Sequence, residues 1–176
     1  GSLSGSTNAG MQDGWILKLS ATGVRKWVSQ VGSSGDDGFA KVAVTKAGQV
    51  IAGGASNGNF GGAKNSGATD AILTVVDSNG KFPSSRLFGT QSADGIAGIA
   101  VTESQKIVVA GTSGDGLFGQ SGFGELDVFV SRFAPLIATP SVAPQRTIRC
   151  KKLSKVKILV GAKVVCPTGF KRVPNK

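Results

Sequence analysis

Apolar and polar residues alternate in short runs along most of the chain. The first clear run, residues 15–19 (Trp-Ile-Leu-Lys-Leu), has counterparts at residues 72–76 (Ile-Leu-Thr-Val-Val) and 128–133 (Val-Phe-Val-Ser-Arg-Phe). Short β-branched and aromatic runs bounded by turn residues read as strands. Ala21-Thr22-Gly23 follows the first run and Asp77-Ser78-Asn79-Gly80 the second. Asn-Gly is a hairpin signal because both residues tolerate positive φ. The same reasoning predicts strands at 25–31, 39–44 and 49–53, and again at 85–88, 96–101 and 106–110. No segment carries a helical period, so the expected class is all-β.

These runs recur at one offset. Asp13, Asp70 and Asp127 are 57 residues apart, and the same shift maps Gly23 onto Gly80, Gly32 onto Gly89, Asp37-Gly38 onto Asp94-Gly95, and Ala43-Val44-Thr45 onto Ala100-Val101-Thr102. Without a gap, 13 of 57 positions are identical between residues 13–69 and 70–126. Gly5, Gly62 and Gly119 are also in phase, as are Gly10, Gly67 and Gly124. Residues 1–12 therefore read as the end of an earlier repeat, 13–69 and 70–126 as full repeats, and 127–134 as the first strand of the next. Each period holds four strands and one long Gly/Ser/Asn-rich connection (55–69 and 112–126). Four antiparallel strands per repeat, with edges protected by neighbours, predict β-propeller-type blades, one per period.

The motif can be compared with a known family. Asp13, Trp15, Lys18, Gly23, Trp27, Gly32, Gly35-Asp36-Asp37 and Val42-Ala43-Val44 resemble the bacterial SBBP-type β-propeller repeat. The second period departs from it: Ser84 stands at the Trp position and Ala93-Asp94 at the acidic pair. The resemblance covers about residues 1–134 and implies a fold and a secreted or cell-surface setting, without implying a chemistry. Two blades do not close a ring. Further blades of a longer chain, or self-association of copies to complete a propeller, would be needed, and the start inside a repeat favours the longer chain.

Charge changes the picture at the C-terminal end. The net charge is +10, yet residues 1–145 hold ten Lys/Arg and ten Asp/Glu. Residues 146–176 hold ten Lys/Arg and no acid, so the whole excess lies there. Pro135, Pro140 and Pro144 mark residues 135–145 as a linker to this basic tail module. The tail has two strand-like stretches and the only two cysteines, Cys150 and Cys166. So short a module has too small a core to stand alone, and a Cys150–Cys166 disulfide closing a β-hairpin-like tail would constrain its unfolded state by about 3 kcal/mol. The tail also resembles a short C-terminal module of secreted actinobacterial proteins at Ile148, Cys150, Cys166-Pro167, Gly169, Phe170 and Lys171. Arg149, Lys151, Lys152, Lys155, Lys157, Lys163, Lys171 and Arg172 are the candidate contacts to an anionic cell-envelope polymer. The competing reading is a solubilising tail with no ligand. Phe170 is the tail's only aromatic, so it has no stacking platform for specific nucleic-acid recognition.

Candidate chemistry in the body is sparse. The chain has no His, which excludes Ser-His-Asp and Cys-His arrangements and His-based metal sites. Asp36, Asp37 and Asp94 lie in equivalent loops, and recurrence favours turn capping over catalysis. Calcium is the metal that Asp36 with Asp37, or Asp77 with Asn79, would suit. No cofactor is expected. The expected function is non-enzymatic: a secreted or surface scaffold, bound to an anionic envelope or another surface protein. The alternatives are a carbohydrate-binding, lectin-like propeller, with Trp27 or the long connections 55–69 and 112–126 in the walls of pockets repeated once per blade, and a fragment of a larger secreted enzyme.

Overall fold

A short strand with an apolar face must bury that face against a second sheet. In a computed structural model the chain does so with antiparallel sheets throughout, and no α-helix occurs among the described residues. The structure describes residues 1–3, 5–134, 146–152, 155–161 and 171–173, with side-chain surroundings for the first two of these ranges. The chain divides into two units, Gly1–Ile137 and Ala138–Lys176.

The first unit has nine strands: β1 (Gly14–Leu19), β2 (Arg25–Val31), β3 (Asp37–Val44), β4 (Val50–Ser56), β5 (Asp70–Val76), β6 (Ser84–Phe88), β7 (Asp94–Val101), β8 (Ile107–Ser113) and β9 (Asp127–Phe133). They form three sheets, with orders β1-β2, β3-β4-β5-β6 and β7-β8-β9. The sequence-based expectation that each 57-residue period makes one four-stranded blade is corrected here. The four-stranded sheet takes β3 and β4 from one period and β5 and β6 from the next. The long Gly-rich connections run within a sheet, from β4 to β5 and from β8 to β9. The short loops at 32–36 and 89–93 cross between sheets. The reason lies in strand pairing: β4 and β5 align along their whole length, from Val50 opposite Val76 to Ser56 opposite Asp70. Among the described residues the three sheets do not close into a ring.

The repeat is nonetheless visible in the details. β3 and β7 each shift register at one place, between Phe39 and Lys41 and between Ile96 and Gly98, which are equivalent positions. Two apolar seams hold the sheets together. Between the first and second sheets, Ile16 meets Ala52 and Val76, with Trp27, Phe39, Val50 and Phe82 around them. Between the second and third, Ile51, Ala71, Leu73 and Val75 meet Ile96, Ile107 and Val109. Phe88, Phe129 and Phe133 close that second seam at its margin.

The second unit contains β10 (Arg146–Lys152), β11 (Lys155–Gly161) and β12 (Lys171–Val173) in the order β11-β10-β12. β10 and β11 pair as an antiparallel hairpin, with β12 on the other edge of β10, and β11 runs through the Lys-rich stretch expected to separate the tail's strands. The linker at 135–145, Cys166 and Lys163 lie outside the described residues, and so does the Cys150–Cys166 disulfide expectation. No helix among the described residues is long and apolar enough to cross a membrane.

Candidate functional site: the acidic corners between sheets

A chain that crosses from one sheet to the next leaves backbone N–H groups unpaired in a partly buried loop, and each needs an acceptor. Asp37 and Asp94, the first residues of β3 and β7, supply it. Asp37 Oδ2 accepts from the Ser33 N–H (2.5 Å) and the Ser33 hydroxyl (2.9 Å). Asp94 Oδ2 accepts from the Thr90 N–H (2.6 Å) and the Thr90 hydroxyl (2.9 Å). The Ser113 hydroxyl also donates to Asp94 Oδ1. Their own N–H groups reach across the seam, Asp37 to the Gln12 carbonyl (2.8 Å) and Asp94 to the Thr69 carbonyl (2.7 Å).

Asp13, Asp70 and Asp127 stand at the strand starts opposite. Each accepts, at 2.9 Å, the N–H four residues earlier: Ala9, Ser66 and Phe123. Asp13 also takes the Gln30 amide at 2.9 Å. The two sets of carboxylates meet around a glycine. A Cβ on Gly32 would collide with Asp13 Oδ1 and press on Asp37 Oδ2, and a Cβ on Gly89 would do the same to Asp70 Oδ1 and Asp94 Oδ2. Asp37, Asp70 and Asp94 are buried. Asp13 Oδ1, Asp37 Oδ1 and Asp70 Oδ1 accept no hydrogen bond.

Chemically, each corner is a clamp. One carboxylate organises the crossing loop and the other organises the chain entering the next strand, so the two sheets are tied at one end. Calcium needs about six to eight oxygen ligands. No group of three or more Asp, Glu, Cys or His side chains suited to a metal occurs among the described residues.

The remaining candidates fall elsewhere. Asp36 is bound to Asn57: its N–H donates to Asn57 Oδ1 (2.6 Å), and its Oδ2 accepts from Asn57 Nδ2 (3.4 Å). Asp77 Oδ1 accepts from the N–H groups of Asn79 (2.8 Å) and Lys81 (2.9 Å), capping its own turn. Those bonds, that from Lys81 foremost, hold the Asp77 carboxyl below its ordinary value. Trp27 reaches from the first sheet to the β5–β6 turn, where its indole N–H donates to the Ser78 carbonyl (2.9 Å). Its ring lies against Gly80, with Lys18 Nζ 5.9 Å from the ring centroid. Trp27 is therefore a seam residue.

Sequence reasoning passed over Ser33, Thr90, Gln12, Thr69 and Asn57. A signal existed for the first two. They are hydroxyl residues at the 57-residue offset, each four positions before a repeated Asp. The carbonyl acceptors Gln12 and Thr69 left no side-chain trace.

In the second unit, Arg149, Lys151, Lys152, Lys155, Lys157, Lys171 and Arg172 all fall on strands. The register sets Lys152 opposite Lys155 and Lys151 opposite Lys171, and it flanks Cys150 with Lys157 and Arg172. No protein-family model matches this chain, and no curated protein matches it.

Proposed function

We propose that this protein is a non-enzymatic, secreted or cell-surface scaffold of β-propeller type whose basic tail contacts an anionic envelope polymer. The observation that carries the reading is the segregation of charge. The body is balanced, while residues 146–176 hold ten cations and no acid. Within the tail sheet, like charges stand directly opposite each other at Lys152/Lys155 and Lys151/Lys171. Like charges in cross-strand register are destabilising, and a polyanion laid across the sheet relieves that repulsion. The repeats act as a rigid presenter, and their carboxylates serve the fold. Of the elements that a lectin-like reading would use, the Trp27 indole is engaged in the seam.

The test is retention of the whole chain on an anionic polysaccharide or teichoic-acid matrix at low salt. The expected result is binding that weakens steadily with added salt. It should be lost in a Lys151→Glu, Lys152→Glu, Lys171→Glu variant. Retention that survives this charge reversal overturns the reading.

A further inference from the structure

Each corner between sheets brings two carboxylates together without a counter-charge. At the second corner Asp70 is 0 % exposed and Asp94 is 3 % exposed. Asp70 Oδ1 and Asp94 Oδ2 both lie within 2.8 Å of the point that a Cβ on Gly89 would occupy. At the first corner Asp13 Oδ1 and Asp37 Oδ2 both lie within 3.0 Å of the corresponding point on Gly32. The two places are one repeat apart, so the fold builds the same pair twice. The hydrogen bonds these four carboxylates accept come from main-chain N–H groups, hydroxyls and the Gln30 amide, and none comes from a Lys or Arg.

Three of their oxygens have nothing to do. Asp13 Oδ1, Asp37 Oδ1 and Asp70 Oδ1 are buried and accept no hydrogen bond. Capping occupies only the other oxygen of each residue: Asp70 Oδ2 takes the Ser66 N–H, and Asp37 Oδ2 takes the Ser33 N–H and hydroxyl. A buried charge is costly unless it is paired or coordinates a metal. The glycine between each pair leaves the space that a side chain would fill, and the groups around it offer oxygen alone. Such a donor set suits hard cations, calcium among them. A cavity of about 230 Å³, lined by Gln12, Asp37, Asn57 and Thr69 among others, gives the first corner room for water.

We propose that each corner binds one calcium ion, between Asp13 and Asp37 at Gly32 and between Asp70 and Asp94 at Gly89. Water and main-chain carbonyls complete the shell. Two carboxylates are few for a calcium site, so the affinity falls in the weak range of extracellular calcium modules, with a Kd of about 10⁻⁴–10⁻³ M. The ion cancels the repulsion within each pair and tightens the tie between sheets, so loading stabilises the fold. Asp36 and Asp77 take no part: Asp36 is engaged by Asn57, and Asp77 caps its own turn.

The test is calorimetric titration of the chelator-treated full chain with calcium, alongside thermal unfolding. The expected result is two ions per chain and a melting temperature several degrees higher at about 10 mM calcium. Asp70→Asn and Asp13→Asn each keep one side-chain oxygen for the cap, so circular dichroism should show them folded. Each should reduce the stoichiometry to one ion, whereas Asp36→Asn should leave both. A measurement on the parent alone reads the same sites: calcium should slow amide hydrogen exchange at Ser33 and Thr90. No saturable binding, fewer than two ions in the parent, a stoichiometry untouched by Asp70→Asn or Asp13→Asn, loss of an ion in Asp36→Asn, or unchanged exchange at both corners would each overturn the inference.

Discussion

β5 and β9 are the same strand of the repeat in two surroundings. Both begin with a capping Asp and both carry seven residues, yet every residue of β5 is buried whereas β9 alternates between half-buried and exposed. Leu73 is 0 % exposed and its equivalent Val130 is 72 % exposed. The third sheet covers one face of β5, the first sheet the other, and β6 its edge. β9 has the second sheet on one face, and among the described residues no further sheet covers its other face. Burial in this fold is therefore assigned by neighbours, and strands at one repeat position end up with different energetic weight.

The largest test of that contrast is a pair of truncations. Leu73→Ala should cost about 2–5 kcal/mol, because it opens a cavity in the second seam. Val130→Ala should change stability by less than about 0.5 kcal/mol, as surface substitutions do. Urea denaturation of both variants measures the difference, and equal losses would break the comparison.

The acidic corners sharpen it next. Asp94→Ala leaves the Thr90 N–H without its acceptor in a partly buried loop and should cost about 1–3 kcal/mol. Asp127→Ala removes one exposed bond to Phe123 and should cost under about 1 kcal/mol by the same measurement. Removing the single bond from the Trp27 indole with Trp27→Phe should cost about 1 kcal/mol and detach the β5–β6 turn, seen as faster amide exchange at Ser78–Lys81.

Smaller effects separate the two periods. Gly48 has φ 76° and its equivalent Gln105 has φ 61°. A left-handed backbone is strained for a residue with a Cβ. Gln105→Gly should therefore raise the melting temperature by an amount worth under about 1 kcal/mol. Gly48→Ala should lower it.

The smallest effect is acidic. Asp77 caps the β5–β6 turn and Ser20 the β1–β2 turn, where the Ser20 hydroxyl accepts from the Val24 N–H at 3.0 Å. The folded Asp77 carboxyl lies below its ordinary value. Its contribution is thus present above the ordinary carboxylate range and is lost as pH falls through the depressed folded value. An acid titration of Asp77→Asn against the parent should show a slightly smaller loss of stability in that window. A larger loss would reverse the assignment.

Much of this was readable in advance. The strand at each position, the turns at Gly23 and Gly80, and the equivalence of Asp13, Asp70 and Asp127 follow from period-two alternation and an ungapped repeat. The phase of the sheets was not readable. A repeat in sequence has no marked beginning, so 13–69 and 37–93 are equally good units until β4 is seen to pair with β5. The corners were half readable. Asp37 and Asp94 stood out, but their acceptor role depends on Ser33 and Thr90, and the seam bonds use the carbonyls of Gln12 and Thr69.

The amino-acid sequence by itself determined the local order of this protein: strands where side chains alternate, turns where glycine permits positive φ, and a tail whose ten cations stand without an acid. These are properties of a residue and its near neighbours. Only the tertiary structure decided which strands share a sheet, which Asp pairs face each other across Gly32 and Gly89, and that Trp27 serves a seam. Those outcomes depend on contacts between residues far apart in the chain. In a repeat, several such pairings satisfy the same local pattern, and the choice among them is made by packing.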